Sequence, residues 1–229
     1  GNARLYTDYS LLTADPDLCE DVSKLFSQLI GMGKTLRMKK LFHAPFTLRK
    51  TLLELIAREA SNASDGKDAR IIIKVNALTD AKMIKALYKA SQAGVKIDLI
   101  VRGMCCLRPG IPGVSSTIQV RSIIGQLLEH SRVFYFLNSD AHEQVLLSSA
   151  DWMERNLDKR IETCFPLANK KMIARVKKEL QIYLSDNTHA WLLQSDGSYH
   201  HLQASCKQTA SNAQALLLET LSMPLVEVT

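Results

Sequence analysis

The sequence predicts an α/β fold, and three observations carry the prediction. Strand-like and helix-like stretches alternate from Leu41 to Leu184, the rhythm of a sheet flanked by helices. Within that span, Arg70-Ile-Ile-Ile-Lys-Val-Asn76 is a β-branched run suited to a buried strand. A helix stop at Gly94 leads directly into a second such strand, Lys96 to Arg102. The two strands and the helix between them form a β-α-β unit, expected to be a right-handed parallel crossover.

Leu5 to Leu12 alternates aliphatic and polar residues as a strand does. Asp15-Pro16 opens a helix with Asp17, Glu20 and Asp21 in its first turns and the apolar stripe Val22, Leu25, Phe26, Leu29, Ile30 behind. Gly31 and Gly33 end it, and GKTLRMKK (33–40) reads as a short basic connector, so a boundary falls at about residue 40. An opening strand with no cap or turn before it points to a natural protein that extends further toward its N-terminus. Thr47 is expected to cap a helix carrying Leu48, Leu52, Leu55 and Ile56, which ends at the polar turn SNASDGKD (61–68). Thr79 starts the helix of the β-α-β unit, through Met83, Ile84, Leu87 and Tyr88. After the loop GMCCLRPGIPGVSS (103–116) come strands Arg132 to Leu137 and Gln144 to Ser149, joined as a hairpin by NSDAHE (138–143). A strand from Arg160 to Leu167 precedes an amphipathic helix from Lys170 to Leu184. A further hairpin turns at Gln194-Ser-Asp-Gly-Ser198, and a last helix runs from about Ala210 to Leu221.

The 229 residues are 46% apolar, enough for a sizeable core in one or two domains. Ten Gly and six Pro exclude collagen-like and disordered chains. No window approaches the roughly 18 uninterrupted apolar residues of a membrane helix, and the opening residues lack a secretory pattern, so the expected compartment is the cytoplasm. Five cysteines, with no CxxC, are expected as reduced thiols. Lys and Arg outnumber Asp and Glu by 29 to 23, a charge of +6. That suits an anionic ligand and is also ordinary for solubility.

Three clusters can carry chemistry. Arg102 ends a parallel strand and is followed by a Gly-rich loop. Ligand sites in open α/β sheets lie at such ends, and a guanidinium donates paired hydrogen bonds to phosphate oxygens. A surface Arg beside a turn is the plain alternative. His130-Ser131-Arg132 enters a strand beside Glu129, and imidazole is the nucleophile or acid that phosphoryl chemistry can use near neutral pH. A structural histidine is the alternative there. Ser148-Ser149-Ala150-Asp151-Trp152 leaves the next strand and leads into Arg155, Asn156, Asp158, Arg160 and Glu162. If Arg160 to Leu167 is a central strand, Arg160 and Glu162 share a side by the period of two, and such a pair would orient His130 or a phosphate. Lys74 and Asn76 are a similar, less specific pair. The remaining five histidines have no His or Cys partners at metal-ligand spacing.

The runs ARLYTDYSLLTAD (3–15), LIVRGMC (99–105), LEHSRVFYF (128–136) and above all SSADWMERNLDKRIE (148–162) resemble the C-terminal portion of bacterial polyphosphate kinase, the long-chain type that autophosphorylates on histidine. The likeness covers about residues 3 to 185 and fades beyond about 190. It implies a phospholipase D-like mixed sheet flanked by helices, one lobe of a two-lobed arrangement. Residues 1–40 would then be the tail of the preceding phospholipase D-like domain with its connector, and 41–229 the last domain of the kinase.

The resemblance implies reversible transfer of the terminal phosphate of ATP to inorganic polyphosphate, with Mg²⁺ and a phosphohistidine. The phosphorylated histidine of the family belongs to a His-x-Lys motif upstream of Arg4, and no such motif is present here, so the isolated chain is expected to be inactive and the Mg²⁺ ligands to lie outside it. By match of motif, Tyr6 is implied as a nucleotide contact, Arg102 as a phosphate or nucleotide ligand, and His130 as a second active-site histidine that binds ATP and serves as acid or base. Asp8, Arg132, Ser149, Arg160 and Glu162 are candidate phosphate-binding or orienting residues. The superfamily pattern His-x-Lys-x4-Asp reads here His130-x-Arg132, with Leu137 at the aspartate position; Arg keeps the charge, and Glu162 is a candidate to replace the missing orienter. The implied partners are ATP, ADP, polyphosphate, the upstream domains and, for the full-length enzyme, further copies of itself and a membrane surface, with no nucleic acid. Two alternatives remain, a phospholipase D-type phosphodiesterase working through His130 and a non-catalytic polyanion-binding module.

Overall fold

Ile71, Ile72 and Ile73 are each at most 2% exposed, as a strand covered on both faces requires. They form the middle of β3 (Arg70–Val75) in a computed structural model that describes residues 5–31, 37–139, 141–206 and 208–222. Gly33 and the head of the basic connector lie outside the described residues, as does Asp140 of the first hairpin turn. β3 pairs in parallel with β4 (Lys96–Val101), and β4 with β5 (Ile118–Ile123). On its other side β3 pairs antiparallel with β7 (Arg132–Phe136), which continues antiparallel through β8 (Gln144–Ser148) and β9 (Glu162–Pro166) to β2 (Phe42–Ala44). Beyond β5 lies the hairpin of β10 (Ala190–Leu193) and β11 (Tyr199–His201). The described residues thus form a mixed nine-stranded sheet, in the order β11-β10-β5-β4-β3-β7-β8-β9-β2, and a separate parallel pair, β1 (Tyr6–Thr7) with β6 (Leu128–Glu129).

Helices cover both faces. α2 (Leu48–Ser64) and α3 (Ala81–Gln92) bury Leu48, Leu52, Ile56, Met83 and Leu87 against Ile71, Ile73, Leu99, Phe134 and Phe136. α4 (Lys170–Ser185) and α5 (Ala213–Ser222) bury Val176, Leu180, Tyr183 and Leu217 with Ile72, Ile100, Val133 and Tyr135 on the other side. The alternation along β3, β4 and β7 is the period of two at work.

Several expectations need correction. Three strands, β2, β5 and β6, were not expected. Of Leu5 to Leu12 only Tyr6 and Thr7 pair; Leu11 still packs inward while Leu12 is 96% exposed. α1 (Pro16–Leu29) is capped by Asp15 as expected, but buries Leu18, Asp21 and Leu25 and leaves Val22, Phe26, Leu29 and Ile30 exposed. The reason is Asp21, whose carboxylate accepts from the backbone N–H groups of Lys39, Lys40 and Leu41 and so rotates that face inward. Thr47 does not cap α2 with its side chain; its hydroxyl accepts from His43 N at 3.1 Å. α2 absorbs the start of the expected turn, with Asn62 buried, and stops before Gly66, whose φ is +75°. Asp80 rather than Thr79 caps α3, accepting from Lys82 N and Met83 N at 3.0 Å each. Residues Arg155–Lys159 form a π-helical turn, so β9 begins at Glu162 and lies one strand from the edge, not at the centre.

Candidate active site

The register brings the C-terminal ends of β3, β4 and β8 and the N-terminal end of β7 to one rim, since Lys74 faces Val133 and Arg132 faces Ser148. Asn76, Arg102, His130 and Asp151 lie just beyond those ends, and hydrogen bonds join them in one chain. Arg102 Nε donates to Asn76 Oδ1 at 3.0 Å, and Asn76 Nδ2 donates to the His130 carbonyl at 3.3 Å. Asn76 N donates to Asp151 Oδ1 at 2.7 Å, and Arg132 grips the same carboxylate through Nε and NH2 at 3.3 and 3.1 Å. Arg132 NH1 then lies 3.2 Å from His130 Nε2. From across the pair β1·β6, Asp8 Oδ2 lies 2.7 Å from His130 Nδ1.

An ionised carboxylate only accepts, so Nδ1 of His130 is the donor toward Asp8, and Arg132 NH1 lies 3.4 Å from Nδ1 as well as 3.2 Å from Nε2. The Tyr6 ring stands edge-on to the imidazole, 5.0 Å between centroids and 76° between planes. Arg132 and Asp151 are nearly buried and bind each other through two bonds, an arrangement that holds the guanidinium rigidly. Arg102 is half-buried, and its terminal amines have no protein partner among the described residues.

Directly behind the rim, Lys74 is buried with Nζ 2.8 Å from Ser131 Oγ and 3.1 Å from Glu129 Oε2, 4.9 Å from the centre of the Tyr183 ring. Burial pulls the lysine below its ordinary value, against the pull of Glu129. Burial by itself would raise Glu129, but the Lys74 charge and bonds from Tyr183 and Gln214 hold it below the usual carboxylate range.

A second group sits further along the rim. Ser149 Oγ donates to Glu162 Oε2, Asn156 Nδ2 donates to Glu162 Oε1 at 2.6 Å, and Ser149 Oγ accepts from Thr163 N at 3.0 Å. Glu162 is thereby spent within this group, and it is Asp8 that faces the His130 imidazole. Arg160 is exposed, does not pair with Glu162 and, as the extended residue that follows the π-helical turn, lies outside β9, so the shared-side argument, which needs both residues in one strand, fails.

A model of the family described as polyphosphate kinase C-terminal domain 2 matches residues 41–214. The chain belongs to that family. It is 71% identical over 228 residues to the polyphosphate kinase of Pseudomonas syringae pv. tomato, covering 100% of this chain and 31% of the relative. To the polyphosphate kinase of Pseudomonas aeruginosa it is 69% identical over 226 residues, 99% of this chain and 33% of the relative. The crystal structure of polyphosphate kinase from Porphyromonas gingivalis matches with a TM-score of 0.87 at 38% identity, over 91% of this chain and 32% of that one. The chain spans about a third of the length of the curated relatives it matches.

In this polyphosphate kinase C-terminal domain the geometry gathers Tyr6, Asp8, Arg102, His130 and Arg132, leaves Ser149 and Glu162 in a neighbouring group, and turns Arg160 outward. Asn76 and Asp151 are the joints of the network. Asn76 had a legible signal, because it follows β3 as Arg102 follows β4. Asp151 stood out only as part of a charged run. Gln214, which bonds to Glu129 at 2.8 Å, had none.

Proposed function

We propose that this domain supplies one half of the active site of a polyphosphate kinase, which transfers the terminal phosphate of ATP reversibly to inorganic polyphosphate through a histidine upstream of this chain. The observation that carries the reading is that Arg102, with free amines, and His130 share Asn76 at one rim. In this reading Arg102 draws the phosphates, Tyr6 contacts the nucleotide, and His130, oriented by Asp8, binds the phosphates of ATP as the bond from the γ-phosphorus to the ADP oxygen breaks and the bond to the upstream histidine nitrogen forms. Ser149, whose hydroxyl is committed to Glu162 and Thr163 N, and the outward Arg160 take no part in this reading. Both nitrogens of His130 already face partners, Asp8 and Arg132, which suits a binding and acid–base group better than a nucleophile. Cationic groups aimed at phosphoryl oxygens stabilise charge as it moves in the transition state.

Among the described residues no group of three or more His, Cys, Asp or Glu gathers as a metal site. The roles above use side chains alone. No helix of the described residues is long and apolar enough to cross a membrane. We read residues 1–40 as the tail of the preceding domain, which hands Tyr6 and Asp8 across to β6; the family match begins at residue 41. Leu137 packs in the second core cluster and offers no carboxylate, which counts against the phosphodiesterase alternative.

The test is phosphate transfer from ATP to polyphosphate. The 229-residue chain alone should make no polymer, and the full-length enzyme should lose about 10²- to 10⁴-fold in kcat/KM on His130→Ala. Robust synthesis by the isolated chain overturns the upstream nucleophile, and polyphosphate retention indifferent to both His130→Ala and Arg102→Ala reduces the domain to a binding module.

A further inference from the structure

The segment that delivers His130 is poorly anchored by its own ladder. β6 and β1 are two residues each and belong to no larger sheet, and strand pairs this short are not stable alone. Yet His130 N and Ser131 N both donate to Thr7 O, at 3.2 and 3.1 Å, so the place of Asp8 relative to the imidazole depends on that pair. Some other element has to hold it.

Lys74 on Glu129 and Tyr9 on Glu179 tie it from β3 and α4, and α5 does so through one side chain that reaches the backbone itself. Gln214 is 6% exposed. Its Oε1 accepts from Leu127 N at 2.9 Å, and its Nε2 donates to Leu127 O at 2.8 Å and to Glu129 Oε1 at 2.8 Å. The amide thus satisfies both backbone groups of Leu127, as a neighbouring strand would. Glu129 passes the tie onward, with Oε2 3.0 Å from Thr7 Oγ1. The fit is close enough to dictate a second residue: a Cβ on Gly125 would lie 2.4 Å from Gln214 Oε1 and 2.9 Å from its Cδ. Two sequence positions 89 apart (214 − 125) are therefore matched to one contact.

We propose that Gln214 is a positioning residue for the His130–Asp8 pair, acting through Leu127, Glu129 and Thr7, with Gly125 as the space it requires. The inference rests on reading that pair as functional, but its readout does not. In the 229-residue chain, the His130 imidazole nitrogens are observed by ¹⁵N NMR and the amides of Leu127 to Ser131 by hydrogen exchange. Gln214→Leu should lower protection of those amides by a factor of about ten, the size expected for losing a few net hydrogen bonds, and shift Nδ1 away from its Asp8-bonded signature. Gly125→Ala, which presses the amide from the opposite side, should do the same if Gln214→Leu does not fold. Val176→Ala opens a cavity in the same second core cluster on α4, away from the Gln214 amide, and should leave the His130 signals in place. Unchanged His130 signals in both Gln214→Leu and Gly125→Ala, or equal changes in Val176→Ala, overturn the proposal while leaving the phosphotransfer reading intact. Full-length enzyme that keeps its transfer activity under the substitutions that move these signals would count against that reading instead.

Discussion

Strand β3 turns Ile71, Ile73 and Val75 toward α2 and α3, and Ile72 and Lys74 toward α4, so one strand serves two interiors of different chemistry. The first interior is built around aliphatic and aromatic side chains, with Trp152 and Phe134 edge-on at 5.4 Å, and its buried Glu59 on α2 accepts from the backbone of Arg70 and Asn138. The second mixes Ile100, Val133 and Leu180 with buried Lys74, Glu129, Glu179 and Asp98. It also holds the N-terminal segment, through the hydroxyl of Tyr9 on Glu179, and the C-terminal helix, through Gln214. Apolar burial drives a sheet and helices together without direction, whereas bonds between buried polar groups fix particular atoms relative to one another. On the face behind the candidate site, such bonds bring together the N-terminal segment and the C-terminal helix.

Four measurements would break or sharpen this contrast. The largest effect is expected from Lys74→Met, which strands Glu129 without its cation and should cost about 3–5 kcal/mol in urea unfolding; adding Glu129→Leu should recover much of it. A mild single mutant would mean that the charges are not closely paired. On the apolar face, Ile73→Ala should cost about 3 kcal/mol by cavity formation and leave the His130 resonances unmoved.

The third effect is pH dependence. Glu129 sits below its ordinary value of 4.5 in the folded chain, so its contribution is fully present above about that pH and is lost as pH falls through the folded value. Glu129→Gln should therefore flatten the acid limb of a stability–pH curve, while Ile73→Ala should lower the curve uniformly. The smallest effect belongs to Arg160→Ala, at an exposed position with no ion pair among the described residues; it should change stability by no more than about 0.5 kcal/mol.

The apolar interior was the more legible of the two. The β-branched run of β3, the Gly94 stop and the alternation in β7 and β8 are local patterns, and they gave the central strands to within a residue or two. β5 escaped because Arg121 and Ser122 interrupt its apolar pattern. The guanidinium is tolerated there only because the carbonyls of Tyr183 and Leu184, at the end of α4, accept its protons. The stripe on α1 misled for a related reason, since three backbone N–H groups make Asp21 an acceptable buried residue and turn Phe26 to solvent.

For the site, Arg102 and His130 could be found because they stand at strand ends, where α/β sheets place their ligands. The sequence by itself determined the fold class, the central strands and the identity of those two groups, because hydrophobic period and strand-end position are properties of neighbouring residues. Only the tertiary structure decided that Asp8 faces the imidazole, that Glu162 is spent on Ser149 and Asn156, and that Gln214 holds the strand which carries His130. A hydrogen bond is satisfied by whatever donor the fold brings within reach, and residues 122 apart in the chain leave no local trace of that choice.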